Sequence, residues 1–189
     1  MTETLVAQQA RARFIVTLPP EPSLVGAELL RLSRASFTTL TDTSDAFLHL
    51  ARRARERLVI MTPFIDTKGA AWAGDIFEAT TAPNKILVVR DSADLEVCGQ
   101  EGLRLREAAQ RIYDYTFRHE RPDGPPQVET FHAKIVLADG IAAYVGSANF
   151  LRRSRETNLE CGFLLEGDVV SPVAVLVEAV LNIFEAKAG

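Results

Sequence analysis

Apolar residues between positions 44 and 117 alternate between short continuous runs and longer stretches with helical spacing. The short aliphatic runs at 58–61 and 85–89 predict buried strands. Stretches in which apolar positions recur every three or four residues predict helices. These helices cover the residues from a cap at Ser44 or Asp45 to Arg57, from 70 to about 80, and from 101 to about 117.

After residue 121 the apolar spacing changes from helical to strand-like. Residues 121–126 (RPDGPP) are a turn-rich loop that a helix does not cross. Beyond it, strands are predicted over 128–131, 133–137, 142–145 and 158–165, and an apolar helix over 174–186. Strands separated by helices and followed by a meander predict an α/β fold, with a mixed β-sheet flanked by helices on both faces.

The first forty residues carry the weakest pattern. Residues 14–18 predict a short strand, Pro19 and Pro20 end it, and Ser23 is placed to cap a helix to about residue 34. We therefore divide the chain into an N-terminal segment of uncertain role, 1–40, and a main domain, 41–189.

The composition fits one ordinary globular domain, because 47% of the 189 residues are hydrophobic and 24% are charged. The sequence opens without a basic, then apolar, leader, and no run approaches about 18 uninterrupted apolar residues. We expect a cytoplasmic protein without membrane insertion. The two cysteines, Cys98 and Cys161, have no Cys or His neighbours at metal-ligand spacing, so neither a metal nor another cofactor is expected.

The net charge of −4 argues against binding of a polyanion by the whole surface. It leaves room for a local basic groove, and arginines do cluster along the chain. One such cluster, Arg152, Arg153 and Arg155, closely follows the polar segment that carries the candidate chemistry.

His132 and Lys134 are the first candidates for chemistry. Alternate side chains of an extended strand share a face, so the two are expected to project together, about 7 Å apart. The Asp139-Gly140 pair predicts a hairpin that returns residues 146–149 (GSAN) beside them. Hydrogen-bond donors and a positive charge around an imidazole suit the stabilisation of a transferring phosphoryl group.

These residues resemble the signature of the phospholipase D-like superfamily, H-x-K-x4-D-x6-G-S-x-N. The matching positions, with every spacing intact, are His132, Lys134, Asp139, Gly146, Ser147 and Asn149. A chance match anywhere in the chain is expected about once in a million sequences. The likeness at motif level covers about residues 128–165. It implies a phospholipase D-like fold with one motif per chain, a catalytic domain at 41–189, and metal-independent phosphodiesterase activity.

The resemblance also implies a role for each residue. His132 would attack phosphorus and form a phosphohistidine, while a second His132 would protonate the leaving oxygen and later activate water. Lys134 and Asn149 would bind the non-bridging oxygens, and Ser147 would support the site. Glu160 would accept a hydrogen bond from a histidine Nδ1 and so fix its tautomer. Asp139 and Gly146 would be structural.

The mechanism needs two histidines, but neither of the other two, His49 and His119, precedes a Gly-Ser-x-Asn segment. The second His132 is therefore expected to come from another chain, in a two-fold homodimer with the site on the symmetry axis. The small single-motif bacterial nucleases of the superfamily look like this.

The motif does not identify the substrate. We favour nucleic acid, with DNA ahead of RNA, because the three arginines of the 152–155 cluster could pair with flanking phosphates. Four aromatic residues could stack on unpaired bases, although core packing is the role we expect for them. They are Tyr113, Tyr115, Phe117 and Phe150.

Two other functions stay open. One is a phospholipase or phosphatidyltransferase. The other is an inactive or regulated subunit that binds nucleic acid or protein, since small cytoplasmic proteins of this kind resemble components of bacterial restriction and phage-defence complexes.

Overall fold

The structure is a computed structural model that describes residues 10–32 and 42–188. The strands in these ranges are β1 (Arg11–Thr17), β2 (Arg57–Met61), β3 (Asn84–Val89), β4 (Arg111–Asp114), β5 (Thr116–Arg121), β6 (Gly124–Thr130), β7 (Ile135–Ala138), β8 (Ala142–Gly146) and β9 (Glu160–Glu166). The helices are α1 (Leu24–Leu32), α2 (Thr43–Arg53), α3 (Thr67–Glu78), α4 (Asp94–Val97), α5 (Gln100–Ala108), α6 (Arg152–Glu156) and α7 (Ser171–Ala188), the last preceded by a 3-10 turn, Gly167–Val170.

Seven of the strands form one mixed sheet in the order β1-β9-β8-β7-β2-β3-β4. Strands β2, β3 and β4 run parallel, whereas β7, β8, β9 and β1 join antiparallel to them and to one another. Strands β5 and β6 pair separately as a hairpin. The predicted mixed sheet is therefore confirmed.

Each face of the sheet carries its own apolar core. On one face, helices α2, α3 and α5 pack around an aromatic cluster in which Phe47 lies 5.0 Å from Trp72 and 5.2 Å from Phe150, between ring centroids. On the other face, Val177 and Leu181 of α7 pack against strand residues such as Val59. Helices on both faces were predicted, and this prediction is confirmed.

Helix α2 begins and ends earlier than predicted. Its cap is Asp42, whose side chain accepts a hydrogen bond from the backbone N–H of Asp45 at 2.8 Å, so neither Ser44 nor Asp45 is the cap. The helix ends at Arg53 and not at Arg57. The N–H groups of the next residues are bound by the side chain of Asp139, which holds the chain extended at the start of β2.

The long helix predicted over 101–117 is wrong beyond residue 108. Helix α5 ends at Ala108, and the chain then enters β4, which pairs parallel to β3, and β5. The signal for strands was the alternation of Tyr113, Tyr115 and Phe117. Their rings pack around Phe184 of α7, with 4.3 Å between the centroids of Tyr113 and Phe184. All three residues are half-buried and pack against Phe184, which is the packing role expected for them.

The N-terminal elements follow the predicted order. Strand β1 is an edge strand of the main sheet and pairs with β9. The Ser23 hydroxyl accepts a hydrogen bond from the N–H of Gly26 at 3.0 Å, as expected of a cap. Helix α1 is described to Leu32, and the last residues of the predicted helix lie outside the described ranges.

Helix α7 buries only one of its sides. Val175 is 69% exposed and Leu176 51% exposed, although both are apolar. The stretch Gly167–Ala186 is also the one helix in the described part of the chain that is long and apolar enough to cross a membrane, judged by length and composition alone. Its inward side packs on β2, β3 and β7.

Candidate active site

His132 and Lys134 lie in the segment immediately before β7, which begins at Ile135 and not at residue 133 as predicted. The turn at the other end of β7 is the predicted Asp139-Gly140 hairpin, and both residues have positive φ, 51° and 69°. Strand β8 then runs back beside β7, and the N–H of Gly146 donates to the carbonyl oxygen of Lys134 at 3.2 Å. The predicted return of the GSAN segment to the neighbourhood of Lys134 is therefore present.

The side chains of His132 and Lys134 touch each other. The Lys134 Nζ lies 2.7 Å from His132 Nδ1 and also donates to the His132 carbonyl oxygen at 2.7 Å. The side chains are thus closer than the expected separation of about 7 Å along a strand, because the flexible lysine stem reaches back to the imidazole. The imidazole is exposed, whereas Lys134 is only 6% exposed.

Burial changes the acidity of this lysine. Removal from water lowers the pKa of Lys134, and the nearby negative charge of Glu160 opposes that effect. Glu160 is itself 5% exposed. A buried ammonium and a buried carboxylate thus interact next to the imidazole, where their electric fields are screened less than in bulk water.

The carboxylate of Glu160 is held by two neighbours. Ser147 Oγ donates to Oε2, and Asn158 Nδ2 donates to Oε1 at 3.3 Å. The Ser147 hydroxyl also accepts the N–H of Cys161 at 3.1 Å. Within this chain Glu160 does not bond to His132 Nδ1, which is taken by Lys134. The expected carboxylate–imidazole bond therefore stays a prediction for the assembled site.

Asn158 was missed by the sequence reasoning. It precedes Glu160 by two residues, and that spacing places both side chains on the same side of an extended segment. This alternation is the signal that would have identified it.

Asn149 borders a cleft of about 470 Å³ beside the motif. The other residues that line it are Phe64, Ile65, Asp94, Leu151 and Arg153. The Asn149 Oδ1 is buried and has no hydrogen-bond partner among the described residues. The next residue, Phe150, belongs to the core and is 1% exposed, so it does not offer a surface for stacking.

The three candidate arginines separate into different environments. Arg153 lines the cleft. Arg152 pairs with Glu156 one helical turn away at 2.8 Å, and the guanidinium of Arg155 lies 5.5 Å from the centroid of Trp72. Only Arg153 of the three is therefore placed beside Asn149.

Gly146 is needed for close approach. A Cβ built at this position would lie 2.3 Å from the Tyr144 hydroxyl oxygen and 2.6 Å from the Cys161 carbonyl oxygen. Because a glycine leaves that space open, Tyr144 can fill the core below the site while the chain continues to Ser147.

Asp139 lies at the far end of β7 from His132. Its carboxylate accepts three consecutive backbone N–H groups, from Arg55 at 2.8 Å, Glu56 at 2.9 Å and Arg57 at 2.8 Å. Burial by itself would raise the pKa of Asp139, but these hydrogen bonds hold it below its ordinary value. The geometry is that of a structural tie between the β7–β8 turn and the start of β2.

Replacing Asp139 by alanine is expected to lower the free energy of unfolding by about 3 kcal/mol, because three hydrogen bonds to a charged acceptor are lost. Since the folded pKa is below the ordinary 3.8, this contribution is present above that pH and is lost as the pH falls through the folded value. Urea unfolding at pH 7 and pH 3 measures both effects. Asp123→Ala, at the exposed Asp-Gly turn between β5 and β6, is the control. An equal loss of unfolding free energy in Asp139→Ala and Asp123→Ala would contradict the structural role assigned to Asp139.

The other two histidines are bound elsewhere. His49 Nε2 lies 3.1 Å from Glu166 Oε1, and His119 Nε2 lies 2.9 Å from Glu129 Oε2. Within residues 10–32 and 42–188, no group of three or more His, Cys, Asp and Glu side chains is arranged to hold a metal ion.

Comparison with known proteins gives a family and a fold. Residues 47–186 match the family described as cardiolipin synthase, PLD-like domain. No curated protein matches the sequence. Among solved structures, NucT from Helicobacter pylori superposes with a TM-score of 0.52 at 11% identity, covering 90% of this chain and 93% of that one.

Two further structures superpose less closely. Nuc, a phospholipase D family member from Salmonella typhimurium, gives a TM-score of 0.48 at 14% identity, with 94% of this chain and 93% of that chain covered. The phosphatidylserine synthase of Haemophilus influenzae Rd KW20 gives 0.48 at 16% identity, with 94% of this chain but 39% of that chain covered. The family match spans most of the sequence and includes the whole His132–Asn149 motif, so this chain belongs to the cardiolipin synthase PLD-like domain family, and with it to the phospholipase D-like superfamily.

Proposed function

We propose that the protein is a metal-independent phosphodiesterase that hydrolyses nucleic acid through a phosphohistidine at a homodimeric site. Family membership supports phosphodiesterase-type chemistry in general. The observation that carries the proposal is the contact of 2.7 Å between Lys134 Nζ and His132 Nδ1, because it brings a buried cation to the side chain that would attack phosphorus.

In the proposed first step, His132 Nε2 forms a bond to phosphorus as the bond from phosphorus to the leaving oxygen breaks. The leaving oxygen takes a proton from the second copy of His132. That histidine then removes a proton from water, whose oxygen displaces Nε2 and releases the product. Two in-line displacements retain the configuration at phosphorus.

The nucleophile must present a free lone pair at Nε2, so its proton has to be at Nδ1. In the single chain an ammonium at Nδ1 would favour the opposite tautomer. Binding of a phosphate gives the Lys134 ammonium a stronger acceptor, and a Glu160 carboxylate can then accept the Nδ1 proton. We therefore expect the competent site to form only when substrate and a second chain are present.

Nucleic acid is preferred as the substrate because of the cleft beside the motif. Arg153 is exposed at its mouth and can pair with a neighbouring phosphate, a contact that weakens as salt is added. We expect DNA to be cleaved in preference to RNA, with little dependence on sequence.

The test is cleavage of labelled single- and double-stranded DNA and RNA in excess EDTA, with sizing chromatography in parallel. Cleavage by a dimer, unaffected by the chelator, is the expected result. Loss of cleavage in EDTA that is restored by a divalent cation would contradict the proposal. Binding without cleavage under every condition would favour the regulated binding subunit, alone or in a larger defence complex.

A second candidate, phosphatidyl transfer at a lipid surface, is favoured by one feature. Val175 and Leu176 are exposed apolar residues on α7, and apolar side chains on a helix surface favour contact with lipid. Turnover of phospholipid vesicles, with no cleavage of nucleic acid, would establish this function in place of the nuclease.

A further inference from the structure

We propose that the cleft beside Asn149 binds one unpaired nucleobase next to the scissile phosphate, with Phe64 as the stacking surface. This inference rests on the proposed nuclease activity and adds to it a preference for single strands. It assigns a role to a residue outside the His132–Asn149 motif.

The ring of Phe64 is a direct neighbour of the ring of His132, the proposed nucleophile. Its ring centroid is 5.8 Å from that of His132, in an edge-to-face arrangement, and 39% of the residue is exposed. A phenylalanine of this exposure at the mouth of a site offers apolar area that a flat ligand can cover.

The loop that carries Phe64 is fixed to the motif. The hydroxyl of Thr62, a fully buried residue, donates to the Phe64 carbonyl oxygen at 2.9 Å and accepts the N–H of Phe150 at 3.2 Å. The loop following β2 and the segment after Asn149 therefore hold one relative position. A stacking surface that is already in place avoids the entropic cost of ordering it on binding.

Arg90 supports the ring from the neighbouring strand end. It follows β3 directly, and its guanidinium carbon lies 5.3 Å from the centroid of Phe64. The cation covers one face of the ring, while Phe64 also lines the cleft and keeps 39% of its surface exposed.

The groups around the cleft match a base better than a lipid. Ile65 and Leu151 supply apolar walls, whereas the exposed Asp94 is an acceptor for the N–H groups of a base edge. An acyl chain would cover this carboxylate without pairing it, which is unfavourable.

The size of the cleft agrees with this assignment, since about 470 Å³ is in the range of small-molecule sites. A base within a duplex already has both faces stacked and its edge paired. Only an unpaired or flipped base can enter, and single strands offer one without the cost of unstacking.

The test compares two single strands, one of ordinary DNA and one of the same length in which every nucleotide is abasic. Phe64→Ala is expected to lower kcat/KM for ordinary DNA by about 10-fold, mainly through KM, because stacking on an aromatic residue is worth ~1–3 kcal/mol per base. Cleavage of the abasic strand should be unchanged in the variant. Phe64→Trp should restore cleavage of ordinary DNA, and Phe163→Ala, which removes a similarly exposed phenylalanine on β9, is the matched control.

The outcomes separate the two proposals. If the wild-type protein cleaves both strands and Phe64→Ala lowers both equally, Phe64 positions His132 and does not bind a base, so the inference is wrong. If the wild-type protein cleaves both strands and Phe64→Ala cleaves each of them as well as the wild-type protein does, the subsite does not exist. If the wild-type protein cleaves neither strand, the proposed nuclease function fails, and this inference fails with it.

Discussion

Replacing His132 by asparagine is expected to lower kcat for phosphodiester cleavage by about 10⁵-fold, because the variant has neither a nucleophile nor an acid in either half of the site. Asparagine keeps a polar side chain of similar volume at an exposed position, so the fold should be unaffected. Single-turnover cleavage, with circular dichroism to check folding, measures the effect.

His119→Asn is the matched control, because it removes an exposed imidazole that pairs with Glu129 in the β5–β6 hairpin. Its activity should equal that of the wild-type protein. Retention of activity in His132→Asn, or an equal loss in the control, would refute the assigned nucleophile.

Mixing the two forms tests the shared site. If one phosphate needs a histidine from each of two chains, an excess of His132→Asn should inhibit the wild-type protein as subunits exchange. If the activity follows only the amount of wild-type chain, each chain acts alone.

Replacing Lys134 by methionine is expected to lower kcat by about 10²- to 10³-fold, because a cation aimed at the non-bridging oxygens is lost where little water screens it. Methionine fills the channel of the lysine stem, so a cavity is avoided. Lys68→Met, at an exposed position in the first turn of α3, should leave kcat unchanged. Comparable activity in Lys134→Met and the wild-type protein would argue against the role of the ammonium.

The same variant should change how stability depends on pH. Because burial lowers the pKa of Lys134, the unfolded chain binds this proton more tightly than the folded chain does. The wild-type free energy of unfolding should therefore rise as the pH rises from the lowered folded value towards the ordinary 10.5. In Lys134→Met this rise should be absent, which urea titrations between pH 8 and pH 10.5 can measure.

Much of the sheet is predictable from local pattern. The strands β2 and β3 lie in the middle of the sheet, where both faces are covered, so continuous aliphatic runs identify them. The Asp139-Gly140 turn predicts the β7–β8 hairpin because its two positive φ angles suit few other pairs. These signals depend on neighbours in sequence, and sequence reasoning therefore finds them.

The region after Ala108 was mispredicted, because the alternation of Tyr113, Tyr115 and Phe117 is a short signal for strands. Its residues fit a helix by composition, and the choice of a strand depends on the edge of β3 and on Phe184, which lies about seventy residues further on. Tertiary contacts of this kind outweigh a weak local preference.

The candidate site likewise contains residues that local sequence spacing identifies and residues that it does not. Spacing within a single segment identified His132, Lys134 and Asn149. Phe64 lies in the loop after β2 and Asp94 is the first residue of α4, which follows β3, and no spacing connects them to the motif. They become visible only when the parallel strands bring their carboxyl ends to the edge of the sheet where the motif lies.

The tie made by Asp139 has a consequence for how the active site is aligned. In the antiparallel pairing of β2 with β7, Leu58 faces Ala138, and a slip of one residue would turn every side chain of β7 to the opposite face of the sheet. His132 and Lys134 would then project towards α7. The carboxylate of Asp139 reaches three successive N–H groups only in the correct register, so the third member of the motif selects the face on which its first two members appear. A folded chain without this tie would be free to present His132 and Lys134 on the opposite face of the sheet.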